Sequence, residues 1–171
     1  LFILFGLCGD FLIIIAILRK RELRNNLVNI FIVSLQLNDI FNISFNQFLV
    51  GLSYMSMKWY GPYIICELFV YTSIICTGSL LWHHALISIH RYLVVVCNQS
   101  ISYLGMSPKL YITLSLVFAR LIPVLVCMPA LYRRDMTVYS KAALRCLLAP
   151  RVSGMQNLLI VLINMLVPCI I

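Results

Sequence analysis

The chain has 171 residues, 63% of them hydrophobic and 11% charged, and its mean hydropathy is +1.01. Soluble domains carry about 25% charged residues, so a single water-soluble core is excluded and an integral membrane protein is indicated. The formal net charge of +8, from 13 Lys and Arg against 5 Asp and Glu, then bears on topology and lipid contact, with no nucleic acid partner expected.

A helix needs about 20 mostly apolar residues to cross about 30 Å of hydrocarbon, and five segments are expected to cross. The first, 1–18, opens at Leu1 inside an apolar run with no initiator Met and no secretory signal before it. The basic loop RKRELRNN follows at 19–26, then a second segment at 28–54 and the short connection SMKWYGP at 56–62. The third segment is 63–96, followed by CNQSISYLGMSPK at 97–109, and the fourth is 110–131. The longest connection, 132–154, leads to a fifth segment at 155–171, which stops at Ile171 within an apolar run. Both ends therefore read as cut from a longer multi-pass protein. Helices are expected, since the blocks lack the strict alternation of barrel strands. Arg19, Lys20, Arg21 and Arg24 in a short early loop place residues 19–26 in the cytoplasm. The 132–154 connection on the opposite side is also basic, with Arg133, Arg134, Lys141, Arg145 and Arg151.

Charges inside apolar blocks are costly and therefore informative. Asp10, Asp39, Arg91 and Arg120 are such residues, and WHHALISIHRYLVVV at 82–96 adds His83, His84 and His90. His83 and His90 share a helix face but stand about 10 Å apart along the axis. A metal ion holds its ligands at about 2 Å, so they close no mononuclear site; no metal and no enzyme activity are expected. The seven cysteines lie mostly in apolar blocks, unlike those of a disulfide-dense secreted scaffold.

His90-Arg91-Tyr92 resembles the Asp/Glu-Arg-Tyr motif that closes the third helix of rhodopsin-like G-protein-coupled receptors. Other landmarks share the spacing. Cys66 lies twenty-five residues before Arg91, Trp59 in KWYGPYIIC resembles the first outer loop, and Asp39 in NIFIVSLQLNDIF resembles the second helix. Gly9-Asp10 stands at the Gly-Asn of the first helix, and Pro168 in MLVPCII at the fifth-helix proline. The resemblance covers the whole chain. It implies an all-α seven-transmembrane bundle of which five helices are present, in the plasma membrane. It also implies an extracellular ligand and a heterotrimeric G protein as partners. By the same resemblance Cys66 pairs with Cys146, Arg91 is the signalling switch, and Asp39 with Asp10 lines a water and sodium-ion pocket. Trp59 and Pro168 are structural.

The departures from the family pattern are specific. Asp10 replaces an Asn, and two facing carboxylates repel unless they share a proton or a cation. Leu80 stands where a Ser is common. His90 removes the acidic neighbour of Arg91, and Asn98-Gln99 replaces the proline and apolar residue that dock into G proteins. Ala119 and Arg120 stand near the place of the fourth-helix Trp. Receptors for biogenic amines carry an aspartate eighteen residues before the third-helix Arg; here that ligand-pocket position is Ser73, which argues against an amine. The stretch LRNNLVNIFIVSL resembles melatonin-type receptors, and a peptide ligand is the other candidate. Of two glycosylation sequons, Asn42-Ile43-Ser44 is within a helix and Asn98-Gln99-Ser100 in a cytoplasmic loop, so neither is expected to carry a glycan. The rival class is a transporter or channel, with Asp10, Asp39 and Arg120 lining a polar path; no inverted repeat or broken-helix pair supports it.

Overall fold

A computed structural model describes residues 2–24, 27–59, 61–96, 107–131, 137–149 and 154–170. Asn98, Gln99 and the basic residues Arg133, Arg134 and Arg151 lie outside these. The first helix is α1 (Phe2–Arg19), with the single turn α2 (Arg21–Arg24) after it. The second is α3 (Leu27–Asn42), a π-helical turn (Ile43–Gln47) and α4 (Phe48–Ser56) in continuous succession. The third is α5 (Tyr63–Val95) and the fourth α6 (Pro108–Leu131). The fifth is α7 (Gly154–Val161), a second π-helical turn (Leu162–Leu166) and α8 (Val167–Ile170). Val28–Ser56, Tyr63–Val95 and Leu110–Pro129 each have the length and apolarity to cross a membrane.

Local chemistry sets the helix ends. The second helix closes at Met57, whose φ of 54° is the left-handed conformation that ends helices. Pro62, extended at ψ 164°, caps α5, and its carbonyl accepts from the amides of Ile65 and Cys66 at 3.0 and 3.2 Å. Ser107 caps α6 by accepting the Leu110 amide on its Oγ at 3.3 Å. Pro108 follows at the first helical position, where its missing N–H costs nothing. At about 1.5 Å per residue the 33 residues of α5 span about 50 Å, more than the roughly 30 Å of hydrocarbon. Its length exceeds what an upright crossing needs.

The third helix is the hub. It packs on α3, α6, the fifth helix and a two-stranded hairpin. It meets the fourth and fifth helices closely at Gly78, where an added Cβ would stand 3.1 Å from both Asn164 Cγ and Pro123 Cβ, the small-residue contact that lets membrane helices meet. Phe31, His83 and Ala119 are fully buried between the helices, whereas Leu4, Phe5, Leu12, Leu114, Phe118 and Leu125 are exposed. Apolar side chains outside and polar ones inside is the arrangement expected in lipid.

The long connection, expected as a loop, holds an antiparallel hairpin. Strand β1 (Thr137–Ser140) pairs with β2 (Arg145–Leu148), Tyr139 opposite Cys146. Ser140 Oγ accepts the Ala143 amide at 3.3 Å within the turn, and Leu144 takes φ 49°. The Cys66–Cys146 disulfide, with a Cα–Cα distance of 5.6 Å, fastens β2 to the start of α5. Cys66, Phe69, Val70 and Cys146 form a buried cluster, flanked by Leu49, Val50, Trp59, Ile74, Tyr139 and Leu148. Trp59 packs its ring 5.6 Å from Phe69. Pro168 is buried just after the second π-turn.

Candidate functional site

The candidate side chains lie along α5 at three levels. At its hairpin end lies a cavity of about 330 Å³, lined by Phe69, Val70, Ser73 and Ile74 from α5, Arg145 to Leu148 from β2, and Met165 from the fifth helix. The disulfide holds its roof, because Cys146 belongs to both the strand and the lining. Ser73 is half-buried within it. Among the described residues Arg145, exposed, is the one charged residue of that lining, and none of them is a carboxylate.

The middle level is a set of interhelical hydrogen bonds. His83 Nδ1 lies 2.7 Å from the Ser79 carbonyl, which can only accept, so that nitrogen carries the proton. Nε2 is then the acceptor, and it lies 3.2 Å from Ser34 Oγ. Ser34 Oγ in turn accepts from Arg120 Nη2 at 3.2 Å, which also reaches the Ser34 carbonyl at 3.4 Å. One directed chain thus runs from Arg120 on α6 through Ser34 on α3 to His83 and Ser79 on α5. Arg120 has its acceptor on Ser34 and not on Asp39. Nearby, Asn38 Nδ2 donates to the Cys76 carbonyl at 3.1 Å. In the first π-turn Asn46 Nδ2 donates to Asn42 Oδ1 at 2.8 Å, and Asn46 Oδ1 accepts from Thr72 Oγ1 at 2.8 Å. The second π-turn buries Asn164 at 1% exposure, with neither amide atom hydrogen-bonded.

Asp39 is partly buried on α3 and close enough to Asp10 on α1 and to His84 on α5 for their charges to act on it. Asp10 Oδ2 is buried without a hydrogen-bond partner. Of the neighbouring positions on α5, Leu80 offers no oxygen, and Ser79 Oγ is turned toward His83 at 3.4 Å. Among the described residues no group of three or more His, Cys, Asp or Glu could hold a metal ion.

At the far end of α5, His90 is buried with both ring nitrogens unpartnered. Its ring lies between Phe31 at 6.5 Å and Tyr111 at 6.1 Å, so it packs as an aromatic and holds no arginine. Arg91 and Tyr92 are exposed. The structure therefore brings Cys66, Cys146 and Ser73 to one end, Asp10 and Asp39 to the middle, and His90, Arg91 and Tyr92 to the other end. Sequence reasoning missed Ser34 and Asn46: a lone Ser or Asn in an apolar helix carries no sign of its distant partner.

The family described as "7 transmembrane receptor (rhodopsin family)" matches residues 9–171. The chain is 31% identical to an alpha-2 adrenergic receptor of Labrus ossifagus over 153 residues, 85% of this chain and 33% of that protein. It is 32% identical to the human D(1B) dopamine receptor over 101 residues, 54% of this chain and 19% of that one. It is 25% identical to "Protein trapped in endoderm-1" of Drosophila melanogaster over 131 residues, 75% of this chain and 32% of that one. The fold superposes on squid rhodopsin with a TM-score of 0.81 at 18% identity, covering 98% of this chain and 46% of that chain. The chain thus spans a third or less of these curated relatives, within a family of receptors and not of enzymes. It belongs to the rhodopsin family of seven-transmembrane receptors.

Proposed function

We propose that the chain forms part of a receptor that carries an extracellular ligand signal across the plasma membrane to a heterotrimeric G protein. The observation that supports this best is the layout of α5. One unbroken helix carries Ser73 in a roofed cavity at one end and the exposed Arg91 at the other. Their eighteen-residue separation is about 27 Å along the axis. In this reading the cavity faces outward, since the basic cluster Arg19 to Arg24 sits at the opposite end of the bundle and marks the cytoplasmic side. Ligand contacts at Ser73 and β2 bias the position of α5, and Arg91 presents the result to the G protein.

Two finer assignments go with it. The ligand is not a biogenic amine, although dopamine and adrenergic receptors are among the relatives, because Ser73 offers no charge to pair an ammonium. A sodium ion sits between Asp39 and Asp10 and offsets their repulsion. The rival path for a solute through Asp10, Asp39 and Arg120 is not favoured, because Arg120 is tied to Ser34.

The test is guanine-nucleotide exchange on a panel of purified heterotrimeric G proteins by the full-length protein in lipid nanodiscs. Exchange above that of empty nanodiscs, lost in Arg91→Ala at equal folded protein, is expected. Ion or solute flux in liposomes without exchange on any G protein would overturn the reading.

A further inference from the structure

The cavity under the hairpin carries one charge among its described lining residues. Among the described residues its lining is apolar except at two places: the Ser73 hydroxyl on α5, and Arg145 on β2. Arg145 immediately precedes Cys146, and the disulfide to Cys66 fixes that strand over the third helix. The guanidinium is therefore carried on a covalently anchored element. Among the described residues no Asp or Glu lines the cavity to neutralise it, and Lys141 in the hairpin turn adds a second exposed positive charge to the same connection.

We propose that this cavity takes an amphipathic monoanion: an acid group paired with Arg145, hydrogen-bonded to or near Ser73, and an apolar body lying on Phe69, Val70, Ile74 and Met165. The assignment rests on the cavity being the ligand site of the receptor. Arginine is suited to the role, because its planar fork pairs a carboxylate in bidentate fashion and stays charged throughout the physiological range. A cleft carrying one sign of charge with low-dielectric walls concentrates ligands of the opposite sign. An ammonium ligand meets the reverse: repulsion from Arg145 and no counter-charge at Ser73.

The experiment uses the full-length receptor in cells, with Ser73→Cys and with the exposed Cys8 and Cys169 changed to Ala. Two membrane-impermeant reagents of similar size are applied from outside, 2-sulfonatoethyl and 2-(trimethylammonio)ethyl methanethiosulfonate, one anionic and one cationic. Each forms a mixed disulfide with the cysteine thiolate and releases methanesulfinate, and the modification rate is read by mass spectrometry. The anionic reagent is expected to react faster by roughly tenfold, the lower end of such focusing effects. Arg145→Gln should abolish that preference and Arg145→Lys should keep most of it. As a ligand-like probe, 4-phenylbutyrate should protect the cysteine more than 4-phenylbutylamine does, again only with a cation at 145.

If both reagents react but the cationic one is equal or faster, or if Arg145→Gln leaves the ratio unchanged, the anionic ligand class is wrong while the cavity reading stands. If neither reagent reaches position 73, the cavity reading itself fails and the proposal with it. Should Arg145→Gln not reach the cell surface, the rate ratio on the receptor with Arg145 intact decides.

Discussion

Replacing Ser34 with Ala tests the interhelical chain at its narrowest point. The Ser34 hydroxyl is both the acceptor for Arg120 at 3.2 Å and the donor to His83 Nε2 at 3.2 Å, so one substitution removes both hydroxyl links and leaves Arg120 only the Ser34 carbonyl at 3.4 Å. Hydrogen bonds between membrane helices average only about 0.6 kcal/mol, because the unfolded chain in lipid finds other partners. His83 differs from that average. It is 0% exposed, and with Nδ1 spent on the Ser79 carbonyl its Nε2 has no other donor. An orphaned buried acceptor costs about 1–3 kcal/mol, and that value applies here in preference to the average. For a chain of 150–250 residues, 1 kcal/mol moves Tm by about 2–4 °C; the expected fall is therefore about 2–12 °C, with Ser34→Thr close to the parent. A dye that fluoresces on reacting with thiols suits the assay, because Cys76 and Cys127 are buried and become reactive on unfolding. The double variant Ser34→Ala, Arg120→Ala should lose less than the sum of the single losses, since the two residues share one interaction. An unchanged Tm in Ser34→Ala, or strictly additive losses with Arg120→Ala, would refute the directed chain.

Four further outcomes follow from the same geometry. Cys66→Ser opens a loop of 80 residues, worth on the order of 4–5 kcal/mol in the chain-entropy account; thermal unfolding should show the largest loss of any single variant here, together with loss of ligand response. Gly78→Ala places a Cβ 3.1 Å from Asn164 Cγ and Pro123 Cβ; overpacking of about 1–3 kcal/mol should appear as a lower Tm, partly restored by pairing it with Asn164→Ala. Replacing sodium by choline should destabilise the parent receptor but not Asp39→Asn, and equal thermal shifts in both would remove the cation from Asp10 and Asp39. His90→Asp puts an acid beside Arg91, where the parent has only an aromatic ring packed on Phe31 and Tyr111; basal nucleotide exchange should drop, and an unchanged rate would show that His90 does not release a restraint.

Much of this molecule is legible in its sequence, because lipid makes polar residues conspicuous. Asp10, Asp39, Arg91 and Arg120 stand out of apolar blocks, and the spacing of Trp59, Cys66, Asp39 and Arg91 points to one fold. What stays hidden depends on partners far along the chain. Arg120 meets Ser34 across 86 positions, and a single serine in a helix gives no hint of that role. His83 and His84 are adjacent, yet the first is fully buried and the second exposed; helical phase relative to neighbours, not residue type, decides between them. The two π-turns are invisible for a related reason. Each shifts the helical phase so that Asn46 or Asn164 enters the interior, and such turns follow no local pattern. The hairpin's strands are four residues each, too short for alternation to separate them from a loop. The disulfide that anchors them brings Arg145 and Ser73 into the lining of one cavity, a juxtaposition that composition alone does not supply.

The measurement that bears most directly on the account joins the two ends of α5. In the full-length Ser73→Cys receptor, a methanethiosulfonate adduct is formed in the cavity and nucleotide exchange on the coupled G protein is recorded before and after. A cavity linked to Arg91 through α5 predicts that the adduct changes the exchange rate and that Arg91→Ala removes the change. Complete modification with exchange unaltered would contradict it.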